Sequence, residues 1–398
     1  MGKIIKICCL LFVICYLLSA CWDKTELEDA TYVILLGLDR ADSQDIGVTV
    51  AFPLSQQMGG DKEMQYTVMS VKAPNVTEGI NLLAAKIAGS MSLNTVKTVI
   101  ISRELAESGE LRQTLSSRQF IEVRNTANIC VADCTAAEFI KARIENPLID
   151  TLRQEDLLLE QSSGSLLYRP LELLDLKEAV ETDGACASML GGVVKQSGED
   201  NNNDDDKQED KKGEKEAPID GDNIKMPVRS GYTAGKVPIR AENETQICGL
   251  AVFKDGKMVG TLDSDEAQTY TLLTRGKAQK TLIMRGNGGD RFSVLLRPAG
   301  RRQVSCRLDG GILVFDIRLN LRYESDLPGI DENIIAEAAA GEVRALLNRL
   351  QREFDADILG FEGKVRRHFG TQRVWDEYSK NDWFRDAVIN VEICIKKQ

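Results

Sequence analysis

The stretch SGEDNNNDDDKQEDKKGEKEA, residues 197–217, limits what this chain can fold into more than any other. It holds no aromatic and no β-branched residue and is dense in charge. Such a segment cannot bury enough apolar surface to offset the entropy of ordering it. The 398-residue chain is therefore interrupted near its middle. Consecutive Asp204, Asp205 and Asp206 lack the alternating ligand spacing and glycine turn of a calcium loop. The stretch reads as a solvated linker or insertion, with a weak cation site as the alternative. At 43% hydrophobic overall, the chain can still bury sizeable cores, and its length fits two or three domains.

A second break lies near the start. After Lys3 and Lys6, no charge occurs from Ile7 to Leu18. Such a run is too short to cross a membrane as a helix, which takes about 20 residues. It suits the apolar centre of a secretory signal behind a basic start. The run ends Leu18-Ser19-Ala20-Cys21, which resembles the lipobox of bacterial lipoproteins. That resemblance implies cleavage after residue 20, a diacylglycerol on the Cys21 sulfur, and an N-acyl chain such as palmitate on its new amino group. A single acyl chain binds membranes marginally, at about 0.8 kcal/mol per buried methylene, so a doubly acylated Cys21 would tether the body almost permanently. The alternatives are a plain signal followed by a chance cysteine, or an uncleaved short anchor. Position, spacing and flanks favour the lipid.

Removing residues 1–20 takes away two lysines and no acid, moving the formal charge from −11 to −13. An acidic body lacks the basic footprint of a nucleic-acid binder. It does not favour anionic headgroups either, so membrane attachment falls to the acyl chains. Six of the ten cysteines remain beyond Cys21: Cys130, Cys134, Cys186, Cys248, Cys306 and Cys394. Export permits disulfides, but the scattered spacing fixes no connectivity, and buried free thiols are the favoured reading for most.

Catalytic and cofactor motifs are sparse. His368 is the sole histidine, so no Cys/His zinc set exists. Set among Arg366, Arg367 and Phe369, it has no nucleophile nearby in sequence and reads as a surface or packed residue. Neither a GxxxxGK[ST] loop nor a GxGxxG after a strand is present. Gly286-Asn-Gly-Gly289 reads as a turn between strands. Carboxylates are abundant, yet nothing selects a hydrolytic pair. Trp375 and Trp383 flank a polar turn and read as packing against a sheet, with a stacking site as the alternative. The expectation is a protein without catalytic, cofactor or metal residues, whose ligand-binding residues are unassigned.

Periodicity places the elements. TYVILLGLD (31–39) and the alternating Ile46, Val48, Val50 and Phe52 form a hairpin across a polar turn. Asn75 caps a helix carrying Val76, Ile80, Leu83, Ala84 and Ile87 on one face. TVKTVIIS (95–102) is a strand before the helix-prone ELAESGELRQTL, and NICVADC (128–134) is another. Thr135 and Glu138 make a capping box for the next helix, and Leu148 to Leu174 reads as mostly helical. Beyond the interruption, CGLAVFKDGKMVGTL turns at Asp255-Gly256, a strong hairpin signal. RFSVLLRP (291–298) is a strand, and RQVSCRLDGGILVFDIRLNLRYE turns at Asp309-Gly310-Gly311. A long amphipathic helix presents Ile335, Ala339, Val343, Leu346, Leu350 and Phe354. FEGKVRRHFG (361–370) reads as a helix closed by Gly370. VINVEICIKK (388–397) ends the chain as a strand expected inside a sheet, because open edges are a liability. Both parts are α+β.

Several of these segments resemble the Ger(x)C spore-germination lipoproteins. Cys21-Trp22-Asp23, Glu26-Leu27 and Gly37-Leu-Asp39 match the family's start, and KTVIISRELAESG (97–109) its strand-to-helix segment. LAVFKDGKMVGTLDSDEA (250–267) is similar to its hairpin, and FDADILGFEGKVRRHF with Trp375 and Trp383 to its C-terminal block. The resemblance spans nearly the whole mature chain; the acidic stretch and the several thiols depart from it. It implies multi-domain α+β architecture with mixed sheets packed by helices. The expected parts are a signal peptide (1–20), an N-terminal domain (21–196), the acidic linker (197–218) and a C-terminal domain (219–398), itself dividing near residue 280. The implied role is the lipid-anchored C-subunit of a nutrient germinant receptor. It would work with integral-membrane partners A and B on the extracytoplasmic face of the spore inner membrane, without catalysis of its own. The other reading is a solute-binding lipoprotein that captures a nutrient for a transporter, which needs two similar lobes around a hinge; the halves show no matching repeat.

Overall fold

Strands Thr98–Ser102 and Asn128–Ala132 are buried along their whole length and mark the centre of one sheet. Burial on both faces is what a parallel sheet covered by helices on each side requires. The computed structural model describes Gly2 and residues 30–42, 45–54, 66–87, 90–145, 170–194, 225–238, 245–274, 276, 278–286, 290–327, 329–379 and 382–397. Its strands are β1 (Ala30–Tyr32), β2 (Leu35–Arg40), β3 (Ile46–Pro53), β4 (Tyr66–Ala73), β5 (Ser90–Ser92), β6 (Thr98–Ser102), β7 (Asn128–Ala132), β8 (Leu171–Glu172) and β9 (Ala185–Val193). They continue as β10 (Lys225–Val228), β11 (Thr245–Lys254), β12 (Lys257–Leu262), β13 (Lys280–Arg285), β14 (Arg291–Pro298), β15 (Gln303–Asp309), β16 (Ile312–Ser325) and β17 (Val388–Lys397).

The first sheet runs β12-β11-β9-β7-β6-β2-β3-β4, with β8 beside β7. Its central β2, β6, β7 and β9 are parallel, and its flanks are antiparallel hairpins. Helix Ala136–Ile144 covers one face, setting Phe139 and Ile140 against Leu35, Ile100 and Met189. Helices Val76–Lys86, Arg103–Ser108, Leu111–Leu115, Gln119–Glu122 and Leu173–Glu181 cover the other. The second sheet runs β10-β13-β14-β16-β15. β14 and β15 pair with successive stretches of the long β16, and β17 runs parallel to β16 from Val314 to Tyr323. Helices Ser264–Thr274 and Glu332–Arg349 complete its core.

The sheets do not separate where the acidic stretch lies. β10, just after it, joins the second sheet, whereas β11 and β12 return to the first by pairing β11 with β9. The two sheets share one core. Ala187, Leu250, Val252 and Leu262 of the first sit in the same apolar cluster as Phe315, Leu346 and Phe354 of the second. Gly260 permits this contact, since a Cβ there would fall 2.3 Å from Cε1 of Phe354. A buried ionic cluster adds a polar clasp. Lys280 Nζ donates to Asp265 O (3.0 Å) and Glu342 Oε2 (3.4 Å), and Arg229 Nε donates to Glu342 Oε1 (3.0 Å). It ties the segment after β10 to both long helices.

The local signals are met closely. Asn75 accepts from Glu78 N (2.9 Å) and Thr135 from Glu138 N (3.1 Å), each capping its helix. Asp255 and Gly256 both have positive φ (53° and 73°), as a two-residue hairpin turn requires. Of the turn expected at Gly286–Gly289, residues 287–289 lie outside the described residues; beside them Gly286 N donates to Asp290 O (2.9 Å). Four expectations change. TYVILLGLD is two strands, because the chain changes partners at Val33: β1 pairs with β5, and β2 with β3 and β6. The long helix finishes in a π-turn, Leu350–Phe354, closed by Asp355 at φ 49°. FEGKVRRHFG holds one helical turn, Glu362–Val365, tightening to a 3-10 turn at Arg366–His368. β17 is not interior: among the described residues it pairs with β16 alone, its other edge left open. Of the helix expected at 148–174, residues 148–169 lie outside the described residues; 171–172 is β8, and a helix starts at Leu173.

Candidate functional site

Cys21 and the acidic stretch lie outside the described residues. The described part of the N-terminal motif is scaffold. A Cβ at Gly37 would fall 2.7 Å from Ile140 Cδ1, so glycine lets helix Ala136–Ile144 seat on β2. Asp39 then accepts from Ala136 N (2.6 Å) and Ala137 N (3.1 Å), capping that helix beside Thr135. Burial raises its pKa although these hydrogen bonds oppose the shift. No disulfide joins any of the six described cysteines; burial pushes Cys134 up to about 12 and Cys248 to about 11, so neither is a ready nucleophile at neutral pH. His368 is exposed on its 3-10 turn.

The C-terminal block forms something different. Together with the turns before β9 and after β11, it walls a cleft of about 500 Å³ at the junction of the two sheets. Three non-glycine residues have positive φ among the described residues: Asp183 (53°), Asp255 (53°) and Asp355 (49°). All three line this cleft. Aspartate tolerates that region better than most side chains, and Gly184 and Gly256 follow two of them in tight turns. Asp357, Glu362 and Asp382 add three more carboxylates, against two cations among the described residues, Lys254 and Arg366. Trp375, 4% exposed, and Trp383 form an aromatic wall, their rings 5.8 Å apart edge to face. The packing reading of these tryptophans holds, and the same pair also borders the cleft.

Four of the carboxylates have cations. Lys254 meets Asp355 at 2.6 Å, Arg366 meets Glu362 at 3.2 Å, Arg385 meets Asp382 at 3.6 Å, and Arg112 pairs with Asp183. Among the described residues, no lysine or arginine forms an ion pair with Asp255 or Asp357. Asp357 is the unusual group. Its Oδ2 accepts from Glu362 N (2.7 Å), whereas its Oδ1 is shut off from solvent and has no hydrogen-bond partner. Burial pushes its pKa up to about 7, with the Glu362 charge adding to the rise. Desolvation also raises Asp255, reinforced by the charges of Asp183 and Asp355 and opposed by Lys254. Among the described residues, no set of three or more His, Cys, Asp or Glu side chains converges as a metal site.

Sequence reasoning missed this cleft. Asp183-Gly184 carries the same Asp-Gly signal as Asp255-Gly256. Nothing in the sequence brings either beside residues 355–384, because the juxtaposition comes from β11 returning to the first sheet.

Fold and cleft define an α+β protein of two mixed sheets sharing one core. The profile of the spore germination protein N-terminal domain matches residues 23–191, and that of the spore germination B3/GerAC-like C-terminal domain matches residues 248–397. The chain is 30% identical to spore germination protein KC of Bacillus subtilis (strain 168), covering 98% of this chain and 94% of that protein. YfkR of the same organism matches at 30% identity over 117 residues, 27% of this chain and 30% of its own length. The crystal structure of the GerBC protein has the same fold, with a TM-score of 0.53 at 15% identity, covering 91% of this chain and 96% of that one. The chain belongs to the Ger(x)C family of spore germination proteins.

Proposed function

We propose that this chain is the lipid-anchored C-subunit of a nutrient germinant receptor, held through Cys21 on the extracytoplasmic face of the spore inner membrane. The observation that carries this reading is the end-to-end match to spore germination protein KC, 94% of whose length is covered. The body docks on two integral-membrane subunits, A and B, and helps turn germinant recognition into a conformational signal without chemistry of its own. Confinement by acyl chains raises its effective concentration beside those partners. The shared core supports this over the solute-binding alternative, because two lobes moving about a hinge need an interface that can open.

The test is capture of the full chain from detergent-solubilised spore membranes. Two multi-spanning proteins should co-purify with it in constant ratio, and both should be lost with the Cys21→Ala chain. Recovery of the chain without such proteins, under conditions where it stays folded, counts against the subunit role.

A further inference from the structure

We infer that the cleft at the junction of the two sheets binds a small organic cation, an ammonium or guanidinium compound, between the carboxylates of Asp255 and Asp357 and beside the Trp383 indole. The inference stands apart from receptor assembly, since it rests on the geometry of the cleft alone.

Three observations converge. The first is charge: among the described residues, six carboxylates and two cations line the cleft, and the two acids without an ion pair come from separate segments of the chain. Asp255 stands on the β11–β12 turn, and Asp357 follows the π-turn. The second is Asp357 itself. A carboxyl oxygen that is buried and unpartnered carries a desolvation cost, which a ligand N–H would relieve once the carboxyl turns that oxygen toward the cleft. The third is a guanidinium already accommodated there. Arg366 pairs with Glu362 and sits over the Trp375 ring at 5.9 Å, so the chain itself shows that this wall receives a cation between carboxylate and indole.

The class of ligand follows by exclusion. A metal ion needs converging ligands, and the described carboxylates do not converge. An anion meets net negative charge. An apolar molecule would leave Asp357 Oδ1 without a donor. The volume of about 500 Å³ suits a small molecule, within the usual range of roughly 300–1,000 Å³. A ligand seated there touches both sheets' ends of the cleft.

Agmatine, which carries an ammonium and a guanidinium, is a suitable probe for the full chain in detergent micelles, with 1,6-hexanediol as its uncharged counterpart. Tryptophan fluorescence should show saturable one-site binding of agmatine with Kd of about 1 mM or tighter, and none of the diol. Asp357→Asn and Asp255→Asn should each weaken binding by about tenfold or more. Asparagine tolerates the positive φ at residue 255, so that variant keeps its turn and the test survives even if Asp357→Asn unfolds. Absence of saturation by about 10 mM, or equal affinity in Asp255→Asn, overturns the inference. Binding of a lysine-rich peptide in place of agmatine also overturns it, by giving the cleft to a protein partner.

Discussion

Nζ of Lys254 lies 2.6 Å from Oδ2 of Asp355, joining the end of β11 in the first sheet to the residue that ends the long helix of the second. Both side chains are partly buried. The pair sits beside Asp255 and Asp183, so it also supplies the positive charge that lets these acids stand together.

Lys254→Met should therefore weaken the junction. It leaves Asp355 in a left-handed turn facing like charges, at a cost of about 1–2 kcal/mol once solvent exposure of the pair is allowed for. The urea midpoint of the variant checks this. An unchanged midpoint would mean that the shared apolar core alone holds the sheets in place.

Gly260 makes a steric prediction about the same junction. Its missing Cβ would stand 2.3 Å from Cε1 and 2.8 Å from Cζ of Phe354, closer than any relaxed contact. Gly260→Ala should destabilise by about 1–3 kcal/mol through overpacking. The double variant Gly260→Ala/Phe354→Leu should cost less than the sum of the two single changes, because the two residues compete for one space. Strict additivity in denaturation would refute the contact.

Glu342 tests the polar clasp. It accepts from both Lys280 and Arg229, and Lys280 is 2% exposed with its pKa lowered mainly by burial. Glu342→Ala leaves that ammonium buried without its carboxylate, a loss of about 3–5 kcal/mol. Lys280→Met should cost less, since Glu342 keeps Arg229. Equal losses in thermal unfolding would show that Lys280 and Glu342 do not work as a pair.

The elements were legible where local chemistry decides them. Asn75, Thr135 and the Asp255-Gly256 turn announce themselves, and the alternation in 388–397 gives β17 to the residue. Its open edge could not be foreseen, because alternation reports one buried face and says nothing of what pairs along either side. The same limit hid the cleft. Asp183, Asp255, Asp355 and Asp357 are each ordinary in sequence, and their meeting depends on a crossing of the chain between sheets. The C-terminal block marked half of the wall through family resemblance, without revealing that Oδ1 of Asp357 is shut off from solvent.

Among the described residues, no helix is long and apolar enough to cross a membrane. The proposed tether puts membrane attachment at Cys21. Cys21→Ala should leave the far-UV spectrum of the folded body unchanged while shifting the chain from the membrane pellet to the soluble fraction, and nutrient germination should fall. A variant that stays in the pellet, or supports normal germination while fully soluble, would defeat the tether.

Asp357 gives stability a pH dependence of definite sign. Its pKa rises from 3.8 to about 7 on folding, chiefly by burial and with help from Glu362, against hydrogen bonds from the backbone of Phe361, Glu362 and Leu359. The folded state therefore holds a proton that the unfolded chain releases across this window. Its contribution is complete below pH 3.8 and is lost as pH rises through about 7, with a total of roughly 4 kcal/mol at most. Asp357→Asn removes the titration, so the variant should lose the downward slope in stability between about pH 4 and pH 7 and be the more stable chain at pH 8. Urea unfolding across that range measures both slopes. Parallel slopes in the two chains would show that Asp357 is ionised at little cost, and that its Oδ1 finds a partner in solution.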